Sequence, residues 1–549
     1  MSAVTGSLPT PVSGRPGRRY WSVAAFLIAL PTLASLVIIV LSLLHPDSEI
    51  LGHLFRYVLP RVTANTIILV AGVSILAGVI GIGLGWLTAM YDFPGRRIFS
   101  WALLLPMAMP GYVMAFVAIG LLEYSGPVQT LVREWTGAEP WFPPIRSTGG
   151  IIVVMSLALY PYVYLLSRNA FLTQGRQALE VGQSLGLNRR QGFFRVALPM
   201  ARPWIAGGLM LVVMETLADF GTVSVFNYDT FTTAIYSSWF GLYSVSSALQ
   251  LAFFLLVLVF VAVVLEHRLR GRAAYTAGLA PGTAAIPLAG IARWIAFLAA
   301  FTVLFAGFLL PCLQLLVWIA ATASFDQRYL AIALRTVLLS ASAAVLIGVV
   351  AVILVYSLRN AGNAARFAGR IATLGYALPG TVLAVGIYTQ LAGANHFLNE
   401  IIATLTGVSP RLFLQGTVLA MLLAYLIRFL AVAFQSVDAA MQRITRRIDE
   451  SARSLGVGGW QLLRQVHVPL LRGGLLTALI LVFVDVMKEM PITLMTRPFG
   501  WDTLAVRVYE MTAEGMWQQA ALPALSIVLA GVVPVILIVR ASAHAPATR

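Results

Sequence analysis

Hydrophobic residues occur along this chain in long runs that are separated by shorter polar connections. A helix crosses the hydrocarbon of a bilayer with about 20 apolar residues. Twelve runs of that length predict twelve transmembrane helices. In the first half of the chain they cover about residues 21–44, 66–91, 99–123, 149–167, 204–226 and 246–265. In the second half they cover about residues 294–321, 331–357, 371–392, 413–435, 473–496 and 518–540.

The composition changes this picture little, because it is also that of a lipid-embedded chain. Of the 549 residues, 59% are apolar and 11% are charged, whereas a soluble domain carries about a quarter charged residues. The first run is too long for a cleaved signal peptide and predicts a membrane anchor. The single cysteine, Cys312, excludes an intrachain disulfide and a cysteine-rich metal site. We therefore predict an all-α, polytopic membrane protein.

The distribution of arginine predicts the orientation of the chain in the membrane. Basic residues outnumber acidic residues by 37 to 21, for a net charge of +16. In a soluble protein this excess would suggest nucleic acid, but in a membrane protein basic residues accumulate in cytoplasmic loops. With the N-terminus placed inside, 27 of the 37 basic residues fall in the tails and the inner connections. The bias predicts cytoplasmic termini and explains the charge without a nucleic-acid partner.

The two halves of the chain are similar when the sequence is shifted by 270 residues. The agreement is strongest after the fourth span of each half, where an acid, a glycine and a proline recur with identical spacing. These residues are Glu180, Gly186 and Pro199 in the first half and Glu450, Gly456 and Pro469 in the second. The pairs Pro110-Gly111 and Pro379-Gly380 match one residue out of register. Six spans per half is an even number, so we predict two parallel six-helix repeats.

A stretch rich in Ala, Gly and Pro that also carries arginines separates the repeats, and it predicts a cytoplasmic linker. The predicted organisation is a cytoplasmic tail at 1–20, a first transmembrane domain at 21–267, the linker at 268–292, a second transmembrane domain at 293–541 and a tail at 542–549. Two fused six-span domains around a shared axis favour a pathway at their interface.

The repeated segments are EVGQSLGLNRRQGFFRVALP at 180–199 and ESARSLGVGGWQLLRQVHVP at 450–469. Each predicts a short helix that is stopped by glycine, a turn, and a second helix that leads into the next span. Small residues after each acid are expected to admit the surface of another protein. They are Gly182, Ser184, Ala452 and Ser454.

These segments resemble the cytoplasmic loop of binding-protein-dependent ABC-importer permeases, whose pattern is Glu-Ala-Ala, three residues, Gly, nine residues and Ile-x-Leu-Pro. The matching positions are Glu180, Gly186, Val196, Leu198 and Pro199 in one half and Glu450, Gly456, Val466, Val468 and Pro469 in the other. The pairs Val181-Gly182 and Ser451-Ala452 replace the paired alanines. The resemblance implies the type I ABC importer permease fold and a loop that docks in a groove of an ATPase subunit. A generic amphipathic surface loop is the alternative, and two copies at equal spacing count against it.

The chain itself has no sequence for binding nucleotide. A Walker A loop has the pattern G-x-x-x-x-G-K-[ST], and the only lysine, Lys488, lies in DVMKEMP. ATP and Mg are therefore expected on a separate ATPase subunit, in two copies because there are two loops. This chain is expected to carry no cofactor and to be a transport subunit instead of an enzyme.

Two further stretches resemble the fused permeases of iron(III) importers, in which Ala-Asp-Phe-Gly-Thr and Lys-Glu-x-Pro-x-Thr-Leu recur. They are METLADFGTVSVFNYDTFTTAIYSSWFG at 214–241 and VDVMKEMPITLMTRPFGWDTLAVRVYEM at 484–511. The resemblance implies that iron(III) is delivered by a periplasmic binding protein and crosses a bacterial inner membrane. Thiamine, polyamine, sulfate and phosphonate are the alternative substrates. An ion-driven secondary transporter is the alternative class. It would also explain twelve spans in parallel repeats, but it would not explain the paired segments and would need no ATPase partner.

Charged residues inside these stretches are candidates for a translocation pathway or gate. They are Glu215, Asp219, Asp485, Lys488 and Glu489. Acids four residues apart share a helical face, and acids within a span generally face a protein interior or a watery cavity. Carboxylates would suit a hard cation such as ferric iron. We weigh bracing or gating by these residues above direct coordination of the metal, because buried charges need partners even when they have no function. We assign no metal ligands.

The longest outer loop is a candidate docking surface for the binding protein, and the alternative is that its charges are simply solvated. Its residues are Arg133, Glu134, Trp135, Glu139 and Trp141.

Overall fold

The computed structural model describes residues 16–44, 52–137, 143–270, 285–322, 327–360, 362–407 and 414–543. Within these residues, eight helices are long and apolar enough to cross a membrane, and three bent helix pairs raise that number to eleven. The one β pairing among them is a parallel contact between Tyr91–Asp92 and Ile286–Pro287. The predicted all-α, polytopic class is confirmed.

Each predicted span overlaps one helix or a series of shorter helices. The eight long helices are Arg19–Leu44, Leu54–Met90, Gly111–Thr136, Thr148–Gly175, Val245–Glu266, Ile291–Thr322, Arg328–Asn360 and Val418–Gln442. The bent pairs are Arg189–Met200 with Arg202–Ala218, Asn363–Ala377 with Gly380–Thr406, and Gly459–Leu470 with Arg472–Lys488. The twelfth predicted span corresponds to Ala521–Ala543.

Short helices lie at the ends of the spans. They are Arg96–Ala102, Leu105–Ala108, Pro127–Thr136, Arg176–Ser184, Arg189–Gly192, Gly221–Val225, Phe231–Tyr236, Asn363–Thr373, Leu374–Ala377, Arg446–Ser454, Gly459–Leu462, Pro491–Thr496 and Leu504–Ala513. Of the predicted linker and tails, residues 271–284, 1–15 and 544–549 lie outside the described residues.

The third and ninth spans are broken, whereas the sequence predicts continuous helices at 99–123 and 371–392. In each, a helix and a 3-10 turn come before a proline, Pro110 or Pro379, and a longer helix begins directly after it. A proline has no N–H to donate to the preceding turn, so the first helix ends before it. In the ninth span the two pieces are bent by 120°.

The fifth and eleventh spans end earlier than the predicted bounds of 204–226 and 473–496. Their helices end at Ala218 and Lys488, and a short helix follows each after a break. The next residue in each case is an acid, whose contacts explain the break and are described below.

The chain forms two compact units. The smaller unit comprises residues 1–36, 341–376 and 425–483, and the larger unit comprises 37–340, 377–424 and 484–549. The second repeated segment thus belongs to the smaller unit. The first repeated segment and all five candidate pathway residues belong to the larger unit.

The core of the larger unit is stabilised by tyrosines of the fourth span. Tyr160 and Tyr164 are fully buried, and their hydroxyls donate to the carbonyls of Leu103 at 2.9 Å and Ser100 at 3.1 Å. Those carbonyls lie at the broken third span, where helical hydrogen bonding is interrupted. Within a bilayer the backbone groups at such a break need partners from the protein, and the two tyrosines supply them.

Candidate functional site

The repeated segments, here called the first and second signature segments (176–200 and 446–470), have the same backbone structure. Each begins with a nine-residue helix and continues through a four-residue helix and a π-helical turn. Every one of these elements ends at positions that differ by 270 residues, so the repeat in the sequence is also a repeat in the structure.

A glycine in the left-handed conformation ends the first helix of each segment. Gly186 and Gly456 both have a φ of +79°, a backbone conformation that glycine adopts without a steric penalty. In the first segment the N–H of Leu187 then donates to the carbonyl of Gly182 at 2.9 Å, and the second segment has the same bond at 3.0 Å. This is a Schellman ending, and it confirms the predicted glycine stop.

Two of the small residues face inward. Gly182 and Ala452 are buried, and a Cβ added to Gly182 would lie 3.5 Å from the Cα of Gly192 in the next helix of the same segment. Their small size lets the two helices of their own segment approach closely, and the expectation that they also admit another protein stays a prediction. Ser184 and Ser454 are exposed.

The remaining predicted positions differ in exposure. Glu180, Gly186, Pro199, Glu450, Gly456 and Pro469 are exposed, and Val196, Leu198, Val466 and Val468 are half-buried.

Sequence reasoning missed an exposed leucine in each segment. Leu185 is 74% exposed and Leu455 is 83% exposed, and both stand immediately before the left-handed glycine. Phe194 and Trp460 add exposed apolar surface to the second part of their segments. Contiguous exposed apolar surface marks sites that bind another protein or a membrane. The repetition of Leu-Gly in the two segments was the available signal.

Asp219 and Glu489 cap the short helices that follow the fifth and eleventh spans. The carboxylate of Asp219 accepts hydrogen bonds from the hydroxyl of Thr222 at 2.8 Å and from the N–H of Val223 at 3.2 Å. The carboxylate of Glu489 accepts one from the N–H of Ile492 at 3.1 Å. A side-chain oxygen that binds the free N–H groups at a helix start stabilises that start.

Each capping acid also packs against the glycine of a Pro-Gly pair. A Cβ on Gly111 would lie 3.2 Å from Oδ2 of Asp219, and a Cβ on Gly380 would lie 3.0 Å from Oε1 of Glu489. The break in the third span therefore packs against the break after the fifth span. In the same way, the break in the ninth span packs against the break after the eleventh span. These contacts agree with bracing by the two acids.

The other three candidate residues form a second group. The ammonium of Lys488 donates to the carbonyl of Met107 at 3.2 Å, which joins the second half of the sequence to the broken third span of the first half. Asp485 and Glu215 are the acids that interact electrostatically with Lys488. In the part of the chain that the structure describes, no cluster of three or more His, Cys, Asp or Glu is placed to hold a metal ion.

A cavity of about 300 Å³ is lined by residues from both halves of the sequence. Its lining includes Ser224 and Tyr509, whose hydroxyls are 3.0 Å apart. Arg146 borders it and is held by Glu123 at 3.0 Å and by the carbonyl of Val225 at 2.9 Å. Hydroxyl groups and a guanidinium therefore give this cavity a polar wall within a largely apolar unit.

The candidate docking loop is only partly described. Arg133, Glu134 and Trp135 end the helix Pro127–Thr136, and the guanidinium of Arg133 donates to the carbonyl of Tyr124 at 2.7 Å. Trp135 is almost fully exposed. Glu139 and Trp141 lie outside the described residues.

A family of known proteins matches the chain twice. The family is the binding-protein-dependent transport system inner membrane component, and it matches residues 81–274 and 348–545. The chain belongs to this family. As an inner membrane component of such a system, the protein is a permease subunit of the ABC importer class, in the fused form with two permease domains. Both signature segments and all five charged candidates fall within the two matches.

Relatives with recorded substrates are of several kinds. The permease is 25% identical over 497 residues to the Fe(3+)-transport system permease protein FbpB 2 of Haemophilus influenzae. This similarity covers 88% of this chain and 90% of the relative. It is 29% identical over 150 residues to the sulfate transport system permease protein CysT of Escherichia coli, covering 27% of this chain and 52% of the relative. It is 23% identical over 164 residues to the molybdate/tungstate transport system permease protein WtpB of Thermococcus kodakarensis, covering 30% of this chain and 59% of the relative.

Proposed function

We propose that this permease imports iron(III) across the bacterial inner membrane and receives it from a periplasmic binding protein. The observation that carries the proposal is the length of the similarity. The similarity to the Fe(3+) permease extends over 88% of the chain, whereas the similarity to the sulfate permease extends over 27%. The stretches at 214–241 and 484–511 separately resemble iron(III) importers in their motifs.

We further propose that a separate ATPase subunit docks on the two signature segments, one copy on each, and binds ATP and Mg. The two equal left-handed glycines and the exposed Leu185 and Leu455 support this arrangement. Both segments lie on the cytoplasmic side in the orientation that the arginine bias predicts, and both termini lie there too. The permease itself carries the substrate without catalysing a reaction.

Iron passes through the permease without a stable coordination site. Two of the four intramembrane acids are engaged in helix capping, and Lys488 interacts with the other two. The polar cavity that Ser224 and Tyr509 border is a suitable transient compartment between the halves. In this account the binding protein supplies the affinity for iron and the ATPase supplies the free energy.

Uptake of radioactive iron(III) tests the substrate. Cells that express the permease with its ATPase and binding protein are expected to accumulate iron, and cells that lack the permease alone are not. Excess unlabelled sulfate, molybdate, phosphonate, thiamine or polyamine should leave the uptake unchanged. Inhibition by one of these compounds together with its own accumulation would contradict the iron assignment and identify the substrate.

Capture of the ATPase by the permease tests the docking surface. Leu185→Asp together with Leu455→Asp should abolish capture from detergent extracts, because a charge replaces the exposed apolar contact. Leu242→Asp is the matched control, since Leu242 is 61% exposed and lies in a connection that the orientation places on the opposite side. Normal capture by the double variant would contradict the proposed surface.

A further inference from the structure

A buried charged cluster attaches the second signature segment to the eighth span. Arg359 lies near the end of the helix Gln327–Asn360, and its Nε is 2.9 Å from Oδ2 of Asp449 in the signature segment. Nε2 of His467 is 3.0 Å from Oδ1 of the same carboxylate. The side chains of His467 and Asp449 are 0% and 8% exposed, so Asp449 has a cation and an imidazole beside it in a site that excludes water.

The Arg359 guanidinium also binds the backbone that leads into the segment. It donates to the carbonyl of Met441 at 3.2 Å and to that of Ile444 at 2.9 Å. One turn earlier in the same span, the hydroxyl of Tyr356 donates to the carbonyl of Gly459 at 2.8 Å. Both helices of the second signature segment are therefore hydrogen-bonded to the end of one membrane helix.

The first signature segment has the same backbone but different residues at the positions of this cluster. Residues at the equivalent positions, 270 earlier in the chain, are apolar. They are Trp86 for Tyr356, Ala89 for Arg359, Phe171 for Met441, Leu179 for Asp449 and Ala197 for His467.

Aromatic packing replaces the charges in the first half. The ring of Trp86, at the end of the second span, lies 5.0 Å from the ring of Phe171 and 4.7 Å from the ring of Phe193. Leu179 is buried in the same apolar cluster as these rings, and Ala197 is also buried. The first segment is thus attached to its membrane helix by apolar contact.

The two attachments differ mechanically. Hydrogen bonds to a charged group fix both the distance and the angle between the elements that they join. The hydrophobic effect is not directional, so apolar surfaces can shift against each other while they remain buried. Stability does not require the charged cluster, because well-packed apolar residues can replace a buried ion pair without loss, and the first half has such residues.

We propose that Arg359, Asp449 and His467 are positioning residues that lock the second signature segment to the eighth span, so that the two ATPase contacts are mechanically unequal. Motion of the ATPase reaches the membrane helices directly through the second segment, whereas the first segment adjusts by sliding. The inference rests on the docking of the ATPase proposed above.

The test replaces the charged cluster of the second half with the apolar residues that the first half has at the equivalent positions. The graft combines Tyr356→Trp, Arg359→Ala, Met441→Phe, Asp449→Leu and His467→Ala, and the transporter is reconstituted with its ATPase and binding protein. We expect normal assembly and normal ATP hydrolysis, but about tenfold less iron imported for each ATP hydrolysed. The matched control is Phe171→Met, which brings a second-half residue into the first-half cluster and should leave the ratio unchanged.

The outcomes separate this inference from the proposed function. A wild-type permease that does not assemble with the ATPase would overturn both proposals. A grafted permease that assembles and imports iron with a normal ratio would overturn only the positioning role.

Asp449→Asn is the second variant in case the graft does not accumulate in the membrane, because it keeps the shape of the side chain and removes one charge. It should lower the ratio in the same direction, and an unchanged ratio in this folded variant overturns the inference equally.

Discussion

Asp219 and Glu489 occupy the same structural position in the two halves of the chain, 270 residues apart. Each carboxylate accepts a hydrogen bond from an N–H at the start of a short helix and lies against the glycine of a Pro-Gly pair. The Pro-Gly pairs are one residue out of register in sequence, and the structure still gives both the same contact. The contact joins two broken spans in each half, so it determines how those spans fit together.

The capping role predicts different results from two substitutions of Asp219. Asp219→Asn keeps one oxygen that accepts from the N–H of Val223, and its amide NH2 donates to the hydroxyl oxygen of Thr222, whereas Asp219→Ala leaves both groups without this partner. We expect Asp219→Ala to lower the free energy of unfolding by about 1 kcal/mol and Asp219→Asn to lower it less. Thermal unfolding in detergent checks the order. Equal losses in the two variants would show that the charge matters instead of the cap.

The close packing at the third span predicts that Gly111 does not tolerate a side chain. A Cβ there would lie 2.6 Å from the hydroxyl oxygen of Thr222, so Gly111→Ala should destabilise the permease by about 1–3 kcal/mol and reduce iron uptake. Gly393→Ala is the control, because Gly393 also lies in a helix and its Cβ would meet no atom within 4 Å. The unfolding temperatures of the two variants are the measurement, and equal values would refute the packing argument.

Much of this fold could be predicted from the sequence because lipid imposes strong local requirements. Apolar runs of sufficient length place every span, and a repeated glycine places the helix stops at Gly186 and Gly456. The breaks in the spans were not predicted. Proline is tolerated in many membrane helices when neighbours satisfy the backbone, so Pro110 and Pro379 do not by themselves show where a helix ends.

The contacts within the site depend on residues that are distant in sequence. Arg359 and Asp449 are 90 residues apart, and no local spacing links them. The inward orientation of Gly182 and Ala452 likewise depends on the following helix of the segment, which packs on the first. The sequence therefore predicts the backbone of the two segments, and tertiary packing determines which of their side chains remain exposed.

The left-handed glycines predict a local effect on coupling. Gly456→Ala places a Cβ at a φ of +79°, which costs about 1–2 kcal/mol and should tilt the first helix of the second signature segment. We expect weaker capture of the ATPase and less ATP-driven iron import. Gly458→Ala is the control in the same turn, because Gly458 has an extended φ of −140° and open space around it. Equal import by the two variants would contradict the role of the turn.

Burial predicts a pH dependence that is confined to the second signature segment. His467 lies ahead of the eleventh-span helix, and burial lowers its pKa, with Arg359 and Arg453 acting in the same direction and Asp449 opposing them. The unfolded chain, with a histidine pKa of about 6.5, then binds more protons than the folded chain. The contribution of neutral His467 to the free energy of unfolding is therefore fully present above that pH, and it is lost as the pH falls below it.

The measurement is the unfolding temperature as a function of pH. It should fall more steeply for the wild type than for His467→Gln, which stays neutral and retains an N–H near Asp449. Parallel curves for the two proteins would show that His467 does not contribute.

ATP-driven iron accumulation in proteoliposomes tests the central claim most directly. The purified permease is reconstituted alone, with its ATPase, and with the ATPase and the binding protein, and radioactive iron(III) inside the vesicles is measured with and without ATP and with an imposed proton gradient. We predict accumulation only when the ATPase, the binding protein and ATP are all present. Accumulation by the permease alone, driven by the proton gradient, would contradict the account.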